Sequence, residues 1–396
     1  MLNGRFDLYE NEGIKSQLSL RYLYGKQDVY GQGSAAGAFS AISNPASDEP
    51  YLGSSWFASD DSEISLINWL PIGDGQLLLG LQYYQPNMLG GKANGNYNLE
   101  QISNNDFPVD YDAAGISNVI LVDQNRKVSA VFGQYEVALG DFNLTAGARY
   151  EDYSDIGTHL SPRASLIYQI NNTNSLKVLY GHAFRPPATG ETGFENNVVL
   201  ISNPDLKAEL IDTFELNWVF QPATWWSQIG CYRSTVTDGI VLYTKPETGS
   251  TRYYRNSSEA LVMSGCELEM IKPVTQHTEL RLGGAQQFEL DETYNNLSKN
   301  QVSASLSSHR NNWEFNLNYF YFGAIDYVTT DNVHHEAGAY GITGAKVSYH
   351  LSDNSSINFT GSNILNRQYN TPARTFAAGL PERDRQLSIS FELTDF

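Results

Sequence analysis

The sequence predicts an all-β fold, an antiparallel up-and-down transmembrane β-barrel, and three observations predict it. Apolar and polar residues alternate with period 2 along most of the chain, the pattern of strands with two unlike faces. Tight turns and long loops follow one another in strict alternation. The composition combines 17 % charged residues with 25 Tyr among 396 residues, few charges and many tyrosines for a soluble globular chain. Helical periodicity is hard to find. With a mean hydropathy of −0.37, no apolar run approaches the roughly 18 residues that a spanning helix needs. A formal charge of −19 without any basic cluster argues against nucleic acid as a partner.

The strands carry the first argument. Phe142, Leu144, Ala146, Ala148 and Tyr150 alternate with Asn143, Thr145, Gly147, Arg149 and Glu151. Trp313, Phe315, Leu317, Tyr319 and Tyr321 do the same against Glu314, Asn316 and Asn318, as do Leu387, Ile389, Phe391 and Leu393 against Ser388, Ser390 and Glu392. Such runs span about 10 to 13 residues, twice the usual globular strand and close to what a tilted strand needs to cross a bilayer. Counted back from Phe396 they number about 16 to 17, the first being Leu2 to Glu10. Small and amide residues such as Asn316, Asn318, Ser348, Ser356 and Asn358 on the polar faces describe a wide, polar lumen.

The connections carry the second. Short ones fall at Glu10 to Gly13, Pro71 to Gly75, Gly140-Asp141, Asn171 to Thr173, Gln221 to Ala223, Pro273 to Gln276, Arg310 to Asn312 and Ser352 to Asn354. Between them lie longer Gly-, Asn- and Asp-rich segments: Lys26 to Asp60, Pro86 to Asn125, Ser154 to His159, Arg185 to Leu206, Asp238 to Ser258, Asp291 to Leu297, Ala324 to Ala337 and Asn363 to Asp384. Short turns at one rim and long loops at the other are how an outer-membrane barrel is built. Trp69, Trp218, Trp225, Trp226 and Trp313 lie near the short turns, where an indole ring sits in the bilayer interface, and only Trp56 falls in a long segment. Cys231 and Cys266 are equidistant from Thr248-Gly249, so a hairpin with its tip there sets them opposite one another, as a cross-strand disulfide or as two thiols facing lipid.

Two ordered motifs then add a resemblance. Phe184-Arg185-Pro186 with Glu191, followed by Asn203-Pro204-Asp205-Leu206-Lys207-Ala208-Glu209 and Glu215-Leu216, resembles the barrel signature of TonB-dependent outer-membrane receptors. Asn363-Ile364-Leu365-Asn366-Arg367-Gln368-Tyr369 resembles that family's "NLFDxxY", ahead of a last strand ending in Phe396. Ala208, Asn217 and Glu382 depart from the usual Pro and two Gly, and none of them breaks a strand. Phe396 is out of step with the apolar phase of Leu387 to Leu393, which implies a bulge after Leu393 or a weakened terminal signal.

The resemblance implies a barrel of 22 strands, of which residues 1–396 supply the C-terminal part, without signal peptide, TonB-contacting box or plug. A closed barrel of sixteen strands that discards the first ten residues is the alternative. The implied function is uptake of a scarce nutrient across the outer membrane, a ferric siderophore foremost, with the inner-membrane TonB complex engaged only through the plug. A passive porin-like channel is the other reading. The partners implied are outer-membrane lipid and an iron chelate or similar small ligand, the chain being a monomer.

The residues offer no catalytic or cofactor motif: there is no G-x-S-x-G, H-E-x-x-H, phosphate-binding loop or C-x-x-C. For ligand capture, Arg252-Tyr253-Tyr254-Arg255 stands first, because guanidinium groups pair with carboxylate or catecholate oxygens while phenol rings pack on the chelate. Trp56, Tyr243, Tyr327, Arg374 and the pair His334-His335 are further candidates, each against the alternative of ordinary loop packing or solvation. Asp106, Asp110 and Asp112 with Asn104 and Asn105 read as a solvated acidic loop, since calcium-loop spacing is lacking. Family haem receptors carry a histidine between the two boxes, and none lies between Arg185 and Leu206.

Overall fold

The computed structural model describes every residue except 105, 198–199, 245–251, 292–296, 330–332, 373–378 and 394–396. Its main sheet has 20 strands. Seventeen of these form the wall. The first four are β1 (Leu2–Asn11), β2 (Ile14–Gln32), β3 (Leu52–Ile72) and β4 (Gly75–Tyr97). Next come β5 (Val128–Leu139), β6 (Phe142–Tyr153), β7 (Gly157–Asn171), β8 (Asn174–Arg185) and β9 (Glu209–Phe220). They are followed by β10 (Trp226–Thr237), β11 (Leu261–Thr275), β12 (Thr278–Leu290) and β13 (Asn300–Arg310). The last are β14 (Trp313–Phe322), β15 (Tyr340–Ser352), β16 (Ser355–Ser362) and β17 (Gln386–Leu393). Each pairs antiparallel with the next, the meander that short turns impose.

Residues directly opposite in an antiparallel pair share a face, so the register sorts every side chain. On β14 the outward residues Trp313, Phe315, Leu317 and Tyr319 are 40 to 47 % exposed, an apolar surface that only lipid can cover. Opposite them stand the likewise outward Val347 and Tyr349 of β15. The inward face is amide and hydroxyl. Asn316 Nδ2 donates to Ser307 Oγ at 2.8 Å, and Ser348 Oγ donates to Asn358 Oδ1 at 2.6 Å. A longer polar belt crosses β2, β3, β4 and β6 inside the wall. Arg21 pairs with Glu63 at 2.8 Å, Gln82 donates to Glu63 at 2.6 Å, and Arg149 donates to Gln82 at 2.5 Å and to Glu151 at 2.8 Å.

The apolar band ends at a ring of polar pairs on the outer face. Tyr180 and His182 both bond Asp212 Oδ1, at 2.8 and 2.9 Å. Arg233 and Ser264 hold Glu289 at 2.5 and 3.0 Å, and Asn87 donates to Asp60 at 2.9 Å. Each carboxylate is supplied with donors at the height where lipid tails give way to head groups.

Several expectations are corrected. Leu2–Asn11 is a wall strand paired along β2, so the first residues are not discarded as in the sixteen-stranded alternative. Among the described residues no pairing joins β1 to β17, so the seventeen strands form an open wall and not a closed cylinder. The segments Lys26 to Asp60 and Pro86 to Asn125 are largely strand. β2, β3 and β4 run 19, 21 and 23 residues, and the strand Val109–Leu121 pairs along the upper part of β4. At about 3.3 Å per residue these strands stand far above a bilayer. There β2 is exposed on both faces over Lys26–Gln32, whereas β3 and β4 keep Ala58, Ala93 and Tyr97 buried on one side. Ser154 to His159 is a short turn between β6 and β7. Parity also splits the tryptophans. Trp218 and Trp313 point outward, with Trp313 packed on Phe315 and Tyr349, whereas Trp69 lies opposite Leu78 and Trp226 opposite Ile271 on the lumen face.

Cys231 and Cys266 are directly opposite on β10 and β11, their Cα atoms 4.0 Å apart, and form the disulfide. The tip at 248–249 and the terminal Phe396 lie outside the described residues.

Candidate functional site

The first motif builds a bracket at the loop end of the wall. Arg185, the last residue of β8, stands opposite Glu209, the first of β9, and its Nε donates to Glu209 Oε2. Its two terminal nitrogens fork onto Glu191, at 3.0 and 3.2 Å. Glu191 belongs to the one-turn helix Thr189–Gly193 and also accepts the Ala188 N–H at 2.7 Å, closing that turn. Pro187 is fully buried beside it, Pro186 is half-buried, and Leu206 and Glu209 are buried. Phe184 stacks on His159 at 4.2 Å and meets Tyr153 edge-on. Pro204 is exposed in the turn after Asn203.

From this bracket rises a hairpin, Ile240–Thr244 paired with Arg252–Asn256, with Leu200–Ile201 added as a parallel third strand. Four bonds from three side chains seat it. Glu209 Oε1 accepts the Ile240 N–H at 2.6 Å, and Asn203 Nδ2 donates to the Tyr254 carbonyl at 3.1 Å. Asn256 accepts the Lys207 N–H at 2.9 Å and donates to the Asp238 carbonyl at 2.6 Å.

Strand alternation divides the Arg252–Arg255 tetrad. Arg255, Tyr253 and Tyr243 share one face. The Arg255 guanidinium lies 4.0 Å from the Tyr243 ring centroid, and Tyr243 meets Tyr253 edge-on at 5.3 Å. Tyr254 and Arg252 share the other face, toward the bracket, where burial and the neighbouring Glu191 charge push the Tyr254 phenol above its usual range. A guanidinium stacked on a ring keeps its N–H groups in its own plane, the geometry for carboxylate or catecholate oxygens.

The remaining candidates lie elsewhere. His334 and His335 belong to a second hairpin, Ile325–Val328 with His334–Ala337. There Tyr327 is 1 % exposed and packs with Ile325 and Ala337, and its ring lies 5.5 Å from His335. His334 is on the opposite, exposed face with Asp326 and Glu336. Trp56 sits in β3 opposite Asp28 and Lys92, with Lys26 Nζ 5.6 Å from its ring. Arg374 lies outside the described residues. Asp110 and Asp112 lie in the strand Val109–Leu121 and not in a loop, where Asp112 accepts the Ala114 N–H at 2.8 Å, and Asn105 is outside the described residues. Among the described residues no three His, Cys, Asp or Glu side chains converge as a metal site. Glu215 lines a lumen groove of about 870 Å³ with Glu267, Glu269 and Arg281. In the second motif Asn363 folds a tight loop by bonding both the N–H and the carbonyl of Arg367. Leu365 is 75 % exposed, and Tyr369 stacks on Tyr340 at 4.2 Å.

Asn256 is a site residue that no sequence pattern marks. It stands one place past the tetrad, and its partners are 18 and 49 positions away.

An apolar outside, a polar inside and long outward strands define an outer-membrane β-barrel protein. The comparisons with known proteins agree. A family model described as "TonB dependent receptor-like, beta-barrel" matches residues 1–364, and the chain belongs to that family. Among curated relatives it is 21 % identical over 285 residues to the vitamin B12 transporter BtuB of Vibrio vulnificus (strain CMCP6), covering 69 % of this chain and 43 % of that protein. BtuB of Vibrio cholerae (strain M66-2) is 23 % identical over 286 residues, with 68 % and 43 % covered. The chain therefore spans less than half the length of these relatives. The fold is also that of the siderophore receptor PirA from Acinetobacter baumannii, with a TM-score of 0.72 at 13 % identity over 96 % of this chain and 60 % of that one. The copper transporter OprC superposes with a TM-score of 0.74 at 14 % identity over 99 % and 65 %.

Proposed function

We propose that residues 1–396 are a barrel domain of a receptor that captures a scarce nutrient outside the cell and passes it inward. The energy is supplied by the inner-membrane TonB complex, acting through a plug domain. A ferric siderophore is the cargo this reading favours. The observation that carries it is the Arg255, Tyr243 and Tyr253 face of the paired strands Ile240–Thr244 and Arg252–Asn256, where a guanidinium held over a phenol ring meets the needs of an anionic, aromatic iron chelate. A corrinoid cargo is the second reading, because the curated relatives are named as vitamin B12 transporters.

Binding of a ferric tris-catecholate and of cyanocobalamin to outer membranes carrying the whole receptor separates the two. The first reading expects catecholate binding that weakens by about tenfold or more in Arg255→Ala, the loss of one charge-assisted contact. Binding of cyanocobalamin alone, unaffected by Arg255→Ala, refutes it. Uptake that persists after the proton-motive force is collapsed refutes energy coupling.

A further inference from the structure

We propose that Arg185 is a positioning residue for ligand capture: forked between two carboxylates, it fixes the seat of the paired strands Ile240–Thr244 and Arg252–Asn256 and so the place of Arg255, Tyr243 and Tyr253. The inference rests on the reading of that hairpin as the capturing surface.

Both strands of the hairpin are tied to groups that Arg185 holds. Its first strand is tied through Glu209, which gives one oxygen to Arg185 and the other to the Ile240 N–H. The second is tied through Glu191, whose backbone carbonyl accepts the Asn203 N–H at 2.8 Å while Asn203 donates onward to the Tyr254 carbonyl. Glu191 and Glu209 come from segments 18 positions apart and have side chains only 15 and 11 % exposed. Without a cation between them, two nearly buried carboxylates repel, and each is left without its partner. Arginine is the side chain suited to this role. Its planar fork reaches Glu209 through Nε and Glu191 through both terminal nitrogens, whereas a lysine ammonium is a single point on a flexible stem.

Arg185 does not touch the Arg255 face itself. Loosening the bracket leaves the guanidinium and phenol groups present but no longer held in one arrangement, and ligand binding must then supply the ordering. The wall below is independent of the bracket, since β8 and β9 pair along their whole length.

The test uses the whole receptor in detergent or outer membrane, with a ferric tris-catecholate as probe and two readouts: amide hydrogen exchange and the dissociation constant. In Arg185→Ala, exchange at Ile240 and Asn203 accelerates by about tenfold to a hundredfold, and the dissociation constant rises by a similar factor. Exchange at mid-wall amides such as Leu216 and Leu317 stays unchanged. Arg185→Lys gives intermediate values in both readouts. Unchanged exchange at Ile240, or accelerated exchange with an unchanged dissociation constant, overturns the proposal. Should Arg185→Ala fail to assemble, Glu191→Gln keeps the side-chain shape while halving the charge on the fork. It must accelerate exchange at Asn203 and weaken binding, or the proposal fails. An Arg255→Ala variant run alongside separates the two readings: if it binds normally, the hairpin is not the capturing surface, whatever the bracket does.

Discussion

Leu317 and Asn318 are neighbours in sequence and face opposite solvents, so the same substitution at the two positions measures the wall directly. Leu317 is 47 % exposed on the outer face, third in the series Trp313, Phe315, Leu317, Tyr319 and Tyr321. Four residues above Trp313 at about 3.3 Å each, on a strand tilted by roughly 40°, place it about 10 Å above the aromatic girdle. That is near the middle of an apolar band about 25 Å tall. An arginine at that depth costs about 2–4 kcal/mol. Asn318 is partly buried on the lumen face, where its Nδ2 donates to Asn316 Oδ1 at 3.1 Å. Replacing it loses about 0.5–1.5 kcal/mol of hydrogen bonding, and a lumen arginine keeps its hydration. Urea unfolding of the receptor in bilayers of defined thickness therefore shows Leu317→Arg as the more damaging change, by about 1–3 kcal/mol. The Leu317→Arg penalty shrinks in a thinner bilayer and the Asn318→Arg penalty does not. Equal penalties, or an Asn318→Arg penalty that follows bilayer thickness, would refute the assignment of faces.

Other outcomes follow from the same geometry. Replacing both Cys231 and Cys266 by Ser opens a loop spanning 35 positions and lowers unfolding free energy by about 3–4 kcal/mol. Reducing agent brings the natural protein to the same level and leaves the double variant unmoved. Arg149→Met strips the buried Glu151 and the Gln82 carbonyl of their shared donor. It costs about 1–3 kcal/mol by denaturant titration, most of which Glu151→Gln restores in the double variant. The Tyr254 phenol is raised by burial in the folded protein, so the unfolded chain loses that proton first. The stabilising contribution is intact below about pH 10 and is lost as pH rises beyond it. Tyr254→Phe removes this alkaline loss, as seen in hairpin amide exchange against pH.

Much of the wall was legible because the solvent on each side dictates residue type. Phe315 and Leu317 against Asn316 and Asn318 need no tertiary information to be read as a two-faced strand. The short turns were legible for a related reason: seven of the eight are two-residue connections, which have few backbone solutions and favour Gly, Asn and Asp, while Gln221 to Trp225 is a five-residue link. Above the bilayer the signal ends. Lys26 to Gln32 is strand exposed on both faces, so no alternation marks it, and in Pro86 to Tyr97 the buried side is Gly90, Gly91, Ala93 and Gly95 before Tyr97, residues too small to read as an apolar face. The inward turn of Trp69 and Trp226 needed the register, because nearness to a turn fixes height and parity fixes side.

The site divides along the same line. The chemistry of Arg255, Tyr253 and Tyr243 was visible as residue types in one stretch and its neighbourhood, and the placement of Cys231 opposite Cys266 followed from their equal distance to Thr248-Gly249, which left open whether they are bonded. Local spacing could not show that Tyr254 turns away from Arg255, that Arg185 holds Glu191 and Glu209 together, or that Asn256 clasps Lys207 and Asp238. The sequence by itself determined the barrel, its two faces and most of its turns, since each depends on contacts between adjacent strands or on the solvent that a residue meets, whereas the structure decided that Cys231 and Cys266 are joined. Only the tertiary structure decided the bracket, the seat of the hairpin and the open run of seventeen strands. Those depend on which distant segments the folded chain brings within hydrogen-bonding reach, and a bond between residues tens of positions apart leaves no periodic trace along the chain.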